Sequence, residues 1–308
     1  ASLFANCSNS SATSVYLMSD AAEIIVPAGK NVRLANLGGW SVETVTNYGT
    51  CEIYLYGMPE TQVVNNGEFK LSHQIGSLIN NTGATMTASS SSAVLTGTLT
   101  NYGVINISSG KYLGTIANNG TMNITGGSYL YTAAVQPVIQ APYGLYRVKD
   151  NTYGDLYAVY EQDKIQAQVG EYYYIAWNTA ALNASAEQPA QLLTDLTISP
   201  VSITNSDFHY YLDLNGHTIT INGTSSKDRG FRIDGGSLNL YNSQPATGGI
   251  TFNSYNQSNP AGVAISMVGC VTDLGPDYAV LRVAEGVVIT SDAYSIGMVE
   301  GATSQYGV

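Results

Sequence analysis

The chain has 308 residues, only 11% of them charged, with 22 acidic against 11 basic residues and a net charge of −11. An acidic chain lacks the basic footprint that nucleic acid or anionic lipid demands, and no run approaches the roughly 18 apolar residues of a membrane span. A hydrophobic share of 44% supports a buried core, and Tyr outnumbers Phe 23 to 5, a ratio that suits half-exposed strand faces.

The N-terminus, ASLFANCSNSS, shows neither a basic start nor an apolar run, so it reads as no signal peptide or as a mature end left after signal removal. Cys7, Cys51 and Cys270 have no metal-ligand spacing, and neither a metal nor a cofactor is expected. Two readings of the thiols stand open. Cys7 and Cys51 pair and tie the leading segment to an early rung, or all three are buried thiols acting as small hydrophobes. Asn-X-Ser/Thr sequons at Asn6, Asn9, Asn80, Asn106, Asn123, Asn183, Asn222 and Asn256 matter only in a eukaryotic secretory pathway.

Residues 1–133 repeat. Aligned on their turns, they read TNYGTCEIYL from Thr46, VNNGEFKLS from Val64, INNTGATMT from Ile79, TNYGVINIS from Thr100 and ANNGTMNIT from Ala117. The turn glycines Gly49, Gly67, Gly83, Gly103 and Gly120 lie 18, 16, 20 and 17 residues apart. Three units share an upstream half: GSLINN from Gly76, GTLTNY from Gly97 and GTIANN from Gly114. Asn and Gly tolerate positive φ, which predicts tight corners. After each corner apolar and polar residues alternate, which predicts a strand with one buried face. A unit this short cannot fold alone; stacking buries a shared core and pairs each strand edge with the next rung. The expected fold is all-β, a right-handed parallel β-helix (β-solenoid).

Residues 134–170 break the pattern with prolines and Tyr-Gly turns, and predict a linker with a hairpin of Leu145–Val148 against Leu156–Tyr160. Residues 171–308 then read as a second β-helix. The stretch Ile175–Ala186, with Trp177, Leu182 and several alanines, is the best helix candidate, and Pro189 lies just beyond it. Strands return in LLTDLTIS, YYLDLNGHTITING, GFRIDGGSLNLYNS, GGITFNS, AVLRVAEGVVITS and YSIGMVEGAT, cornered at Asn215-Gly216, Asn222-Gly223, Gly235-Gly236 and Gly248-Gly249. Unit lengths of roughly 20 to 25 residues suit three-faced rungs. The whole is thus two solenoid segments in series with a short capping helix between them. The final SQYGV reads as a turn with no polar cap, as in a fragment or a subunit whose end another copy covers.

The run from Ala167 to Ile221, with VGEYYYIAWNTAALNASAEQPAQLLTDLTIS and YLDLNGHTITI, resembles the start of a pectin-lyase-like right-handed β-helix of bacterial cell-surface proteins. In that resemblance a short amphipathic helix caps the first coil. The N-terminal repeats resemble adhesin β-solenoids. Such folds host lyases, hydrolases, phage tailspikes and inert stalks alike, so the resemblance implies a fold and an extracellular or cell-surface location more than an activity.

Chemistry is sparse. Lys227-Asp228-Arg229 with Arg232 and Asp234 is the best cluster, able in principle to supply an acid/base pair with a clamp, or equally a solvated corner of local ion pairs. Alternation places Arg232 and Asp234 on one face, and Phe231 and Ile233 on the other. Asp213 reads as a corner residue bonding backbone amides near Asn215-Gly216. The Gly-His-Gly, paired-Asp and Arg-Ile-Lys motifs of polygalacturonases are missing, and His73, His209 and His217 form no triad. Tyr172, Tyr174, Trp177, Tyr210 and Tyr211 are candidate sugar-contacting rings, with core packing and cap closure as the competing role. The expected function is a surface stalk, fibre subunit or adhesin that presents repetitive polar faces rich in Thr, Ser and Asn, and that meets a glycan surface or associates with itself end-to-end or laterally. A polysaccharide lyase or hydrolase using Asp228, Arg232 and Asp234 is the alternative, and a phage fibre or tailspike a third.

Overall fold

The structure, a computed structural model, describes residues 4–54, 56–225, 229–244, 247–255, 262–268 and 279–299. It is all-β, with 52% strand and 5% helix, and most strands pair in parallel and in chain order, which fits a β-solenoid. The chain divides into two compact units, residues 1–162 and 163–308.

In the first unit, sheet A stacks Thr13–Tyr16, Asn31–Ala35, Thr50–Ile53, Glu68–Leu71, Thr85–Ala88, Val104–Ile107 and Thr121–Ile124 in parallel. Sheet B stacks Ala21–Val26, Val42–Asn47, Met58–Asn65 and Gln74–Asn80, and the last of these pairs with both Val94–Leu95 and Leu99–Asn101. The earlier coils thus each give one strand to each sheet, and the coil after Thr85–Ala88 gives sheet B two short ones. Inward side chains follow the alternation: Cys51 and Ile53, Phe69 and Leu71, Met86 and Ala88, and Ile105 and Ile107 from sheet A face Val45, Val63, Leu78 and Leu99 from sheet B in one core.

The corner between the sheets works differently from the sequence expectation. Asn47, Asn65, Asn80 and Asn101 lie within sheet B, fully buried, in mutual register with Asn118. Each Nδ2 donates to the Oδ1 of the Asn one coil on: Asn47 to Asn65 at 2.8 Å, Asn65 to Asn80 at 2.8 Å, Asn80 to Asn101 at 2.9 Å and Asn101 to Asn118 at 2.7 Å. The same Nδ2 groups reach the backbone carbonyls of Glu68, Thr85, Val104 and Thr121 at 2.9–3.0 Å. The Oδ1 atoms of Asn47, Asn65 and Asn101 accept the N–H of Gly49, Gly67 and Gly103. The corner glycines are needed for space. Of the five, only Gly83 has positive φ. A Cβ on Gly67 would collide with the Gly49 carbonyl oxygen, and one on Gly120 with that of Gly103. Gly76, Gly97 and Gly114 form a second column packed on the preceding carbonyls in the same way.

The core closes at both ends. Phe4 and Cys7 are buried against its start. Beyond Met122 and Ile124, Val135 is buried, and Val138 and Ile139 pack around the 3-10 turn Gln136–Val138. The hairpin pairs Tyr143–Asp150 with Gly154–Glu161, and its second strand adds antiparallel to Ser128–Tyr129, extending sheet B. Tyr112 and Tyr129 stack with ring centroids 5.0 Å apart, and their hydroxyls donate to the carbonyls of Ser109 and Gly126.

The second unit has three parallel sheets. Ala190–Leu192, Leu196–Ile198 and Val201–Ile203 start sheets C, D and E. Next come His209–Asp213, Thr218–Asn222 and Arg229–Ile233, then Ser237–Tyr241, Gly249–Asn253 and Val263–Val268, then Val280–Val283, Val288–Ser291 and Tyr294–Val299. Here positive φ does occur at corners, at Asn215, Gly216, Gly235, Gly236 and Gly248. The helix spans Trp177–Asn183, shorter than Ile175–Ala186, and buries Trp177, Ala180 and Ala181 on the core. Tyr172–Tyr174 and Ala167–Val169 pair antiparallel at the head of sheet C.

Candidate functional site

Three of the five predicted aromatic residues, Tyr174, Trp177 and Tyr210, meet in the core of the second unit. Trp177 and Tyr210 are each only 6% exposed; Trp177 meets Phe231 edge-on at 6.0 Å and Tyr210 at 6.3 Å, so both rings belong to the core beneath the helix. Tyr174 is half-buried on the same core, and its hydroxyl is pushed up first by burial and then by Tyr172. Tyr211 is half-buried beside buried Tyr210 and Leu212, so it lies on the outer face of its strand. Tyr172 is half-buried on its three-residue strand.

Among the acid/base candidates, Asp228 lies outside the described residues. Arg232 and Asp234 share an ion pair of 2.8 Å, while Phe231 and Ile233 are buried behind them. The pair neutralises itself at an exposed position. Asp213 is buried at a corner, where its Oδ1 accepts the N–H groups of Asn215 and Ser243, both at 2.9 Å. His217 faces Asp195 at 3.3 Å, and His209 faces Ser237 at 3.0 Å. Cys7 and Cys51 are free and buried; burial, then the Glu52 charge, pushes the Cys51 thiol up to about 12, which makes it inert. Cys270 lies outside the described residues. Among the described residues, no three His, Cys, Asp or Glu side chains are placed to hold a metal ion, and no helix is long and apolar enough to cross a membrane.

Sequence reasoning expected repetitive polar faces but named no residues for them. From Leu71 to Tyr146, Lys111 is the sole Asp, Glu, Lys or Arg, and its Nζ is already paired with Asp150 at 2.6 Å. This charge-free window was readable but has no motif to announce it. The fold turns it into flat ladders. On the outer face of sheet B, Thr44, Gln62 and Ser77 align in one column behind exposed Glu23, whose carboxylate accepts Thr46 Oγ1 at 2.9 Å, and Thr46, Val64, Ile79, Thr100 and Ala117 align in the next. Tyr48, Asn66, Asn81, Tyr102 and Asn119 follow the buried asparagines along the adjoining corner; Tyr48 is 51% and Tyr102 47% exposed. On the outer face of sheet A, Thr85, Val104 and Thr121 align beside Thr87, Asn106 and Asn123. Several of these side chains are already held: Asn123 donates to Asn106 at 2.9 Å, and the hydroxyls of Thr98 and Thr115 lie 3.4 Å apart. Most are β-branched or tethered, so little rotamer freedom remains to be lost on contact.

Charge on the strands of the first unit lies in the earlier coils, at Lys111 and in the hairpin: the earlier coils carry Arg33, Glu52, Glu68 and Lys70 on sheet A, and exposed Glu23, Glu43 and Glu60 on sheet B. Glu52 bonds Arg33 Nε at 2.9 Å, Lys70 Nζ at 3.1 Å and Ser72 Oγ at 2.6 Å. Burial pushes its carboxyl up, but the bonds from Ser72, Lys70 and Arg33 outweigh that and hold it below the usual carboxylate range.

Compared with known proteins, the chain matches no family, no curated protein and no solved structure.

Proposed function

We propose that the chain is an extracellular or cell-surface structural and adhesive β-solenoid, a right-handed parallel β-helix in both units and pectin-lyase-like in the second, whose neutral ladders contact an uncharged glycan surface. The observation that carries this reading is the charge-free window folded into parallel columns of Thr, Ser, Asn, Val and Ile on the outside of sheets A and B. Electrostatic attraction has no purchase there, so recognition rests on hydroxyl and amide hydrogen bonds, β-branched methyl groups and the exposed rings of Tyr48 and Tyr102. Size favours a polymer over a second protein. Five strands at ~4.8 Å spacing and two outward columns give the neutral sheet B face about 19 Å by about 13 Å, roughly 250 Å². A stable protein interface takes roughly 800 Å² per partner.

The test is co-sedimentation of the full chain with insoluble uncharged polysaccharides and with a sulfated one. The reading expects retention on at least one uncharged polymer, unchanged from low salt to about 0.5 M, where surface charge is screened. Retention only on the sulfated polymer, or retention abolished by salt, overturns it. Reversible, concentration-dependent growth in mass without glycan retention would instead make the face a contact between copies.

A further inference from the structure

The chain contains four Asn-Gly dipeptides: Asn66-Gly67, Asn119-Gly120, Asn215-Gly216 and Asn222-Gly223. This dipeptide is chemically vulnerable, because glycine has no side chain to keep its backbone nitrogen away from the preceding Asn amide. The structure treats the four differently. The Asn66 amide oxygen accepts Asn81 Nδ2 at 2.8 Å. Asn215 Nδ2 donates to the Leu192 carbonyl at 2.9 Å, and its Oδ1 accepts Ser243 Oγ at 3.3 Å. The Asn222 Oδ1 accepts Asn253 Nδ2 at 2.9 Å, and Gly223 N–H is tied to the Asn253 carbonyl at 2.8 Å. Asn119 has no side-chain hydrogen-bond partner among the described residues, and Asn119, Gly120 and Thr121 are all exposed.

The attacking nitrogens differ too. Gly216 N–H donates to Asn242 Oδ1 at 2.9 Å and Gly67 N–H to Asn65 Oδ1 at 3.2 Å, whereas Gly120 N–H reaches Asn118 Oδ1 at 3.3 Å, the longest of the four bonds. The coils on either side also differ. The Gly67 carbonyl accepts Thr85 N–H from the next coil, and Gly103 accepts Thr121 N–H. Among the described residues Gly120 belongs to the last coil of sheet A, with no later strand to bond its carbonyl. Local opening is easiest where the fewest bonds must break.

We propose that Asn119 is a site of spontaneous covalent modification in the folded protein, and that the side-chain tethers on Asn66, Asn215 and Asn222 shield the other three Asn-Gly corners. In the step, Gly120 N attacks Asn119 Cγ. A C–N bond forms, the N–H proton is lost to solvent base, and the side-chain nitrogen leaves as ammonia, giving a succinimide. Water then opens the ring at either carbonyl, leaving aspartate or isoaspartate at position 119. Both add a negative charge to the otherwise charge-free corner column. Isoaspartate also routes the backbone through an extra methylene, which shifts Thr121–Ile124 against Val104–Ile107.

The test is a time course of the full folded protein in mildly alkaline buffer, with peptide mapping by a fragmentation method that separates aspartate from isoaspartate. Position 119 should convert at least about tenfold faster than positions 66, 215 and 222, and urea-unfolded protein should bring the four within a few-fold of each other. Asn81→Ala, which unties Asn66, should speed conversion at 66 and leave 119 unchanged. Equal rates at the four sites in the folded protein, or an unchanged rate at 66 in Asn81→Ala, overturns the proposal.

Discussion

Asn65→Ala probes the internal ladder. Asn65 is fully buried, accepts from Asn47 Nδ2 and Gly67 N, and donates to the Asn80 amide oxygen and the Thr85 carbonyl. Truncation leaves these partners inside the corner without a replacement. At about 1 kcal/mol net per bond, with an added penalty for polar groups left buried and unpaired, the expected loss is roughly 3–5 kcal/mol. Hydrogen exchange read by mass spectrometry localises the effect: amides of Val42–Leu71 should exchange faster by about two to four orders of magnitude. Asn123→Ala, which breaks only the exposed bond to Asn106, serves as the control and should cost less than about 0.5 kcal/mol. Asn65→Asp keeps the shape but loses the donors and buries a charge. It should be as damaging at neutral pH and partly recover in acid, where the carboxyl is protonated and regains one donor. If Asn65→Ala lies within about 1 kcal/mol of wild type, or is indistinguishable from Asn123→Ala, the ladder does not hold the coils.

Gly114→Ala should destabilise the first unit by roughly 1–3 kcal/mol or more, because its Cβ would collide with the Gly97 carbonyl, and thermal unfolding reads this directly. Gly83→Ala meets open space and suffers only its positive φ, so its shift should be smaller, about 1 kcal/mol. Trp177→Ala should loosen the second unit by about 3–5 kcal/mol through loss of the ring packed on Tyr210 and Phe231, seen as faster exchange of the Ala190–Leu192 and His209–Asp213 amides. Glu52 has a folded-state pKa below its ordinary value of 4.5, so the stability it contributes is present above that value and is lost as pH falls through the lowered one. Acidification below about pH 4.5 should therefore loosen the coils of Asn31–Ala35, Thr50–Ile53 and Glu68–Leu71, and Glu52→Gln should make that region's exchange less sensitive to acid.

Much of the architecture was legible because its signals are local. The five Asn-centred units delivered the five sheet A strands from Thr50–Ile53 to Thr121–Ile124, since alternation after a corner is a property of neighbouring residues. The two earlier strands, Thr13–Tyr16 and Asn31–Ala35, lack the Asn-X-Gly corner, so the aligned units, which start at Thr46, give them no bounds. The role of the asparagines was misread for a physical reason. Their partners lie 15 to 21 residues away in the adjacent coil, so a local pattern shows a turn former where the fold uses a buried hydrogen-bond ladder. The glycines likewise look like positive-φ residues, but at Gly49, Gly67, Gly103 and Gly120 it is the neighbouring coil that excludes a side chain. In the second unit the burial of Trp177 and Tyr210 depends on where the helix lands, which spacing does not encode. The neutral surface was visible as a missing residue class, but it became a face only once the outward columns were in register.

The proposed function turns on whether the sheet B face makes the contact. The most direct measurement compares retention on an uncharged polysaccharide of wild type, of Thr98→Glu with Thr100→Glu, and of Thr152→Glu on the hairpin turn. The face carries Thr100 in its column and Thr98 beside it, whereas Thr152 is exposed on the hairpin turn, outside both columns. The account predicts that the double substitution lowers retention about tenfold or more, with the fold intact by circular dichroism, while Thr152→Glu binds as wild type does. Equal retention of all three proteins would contradict it.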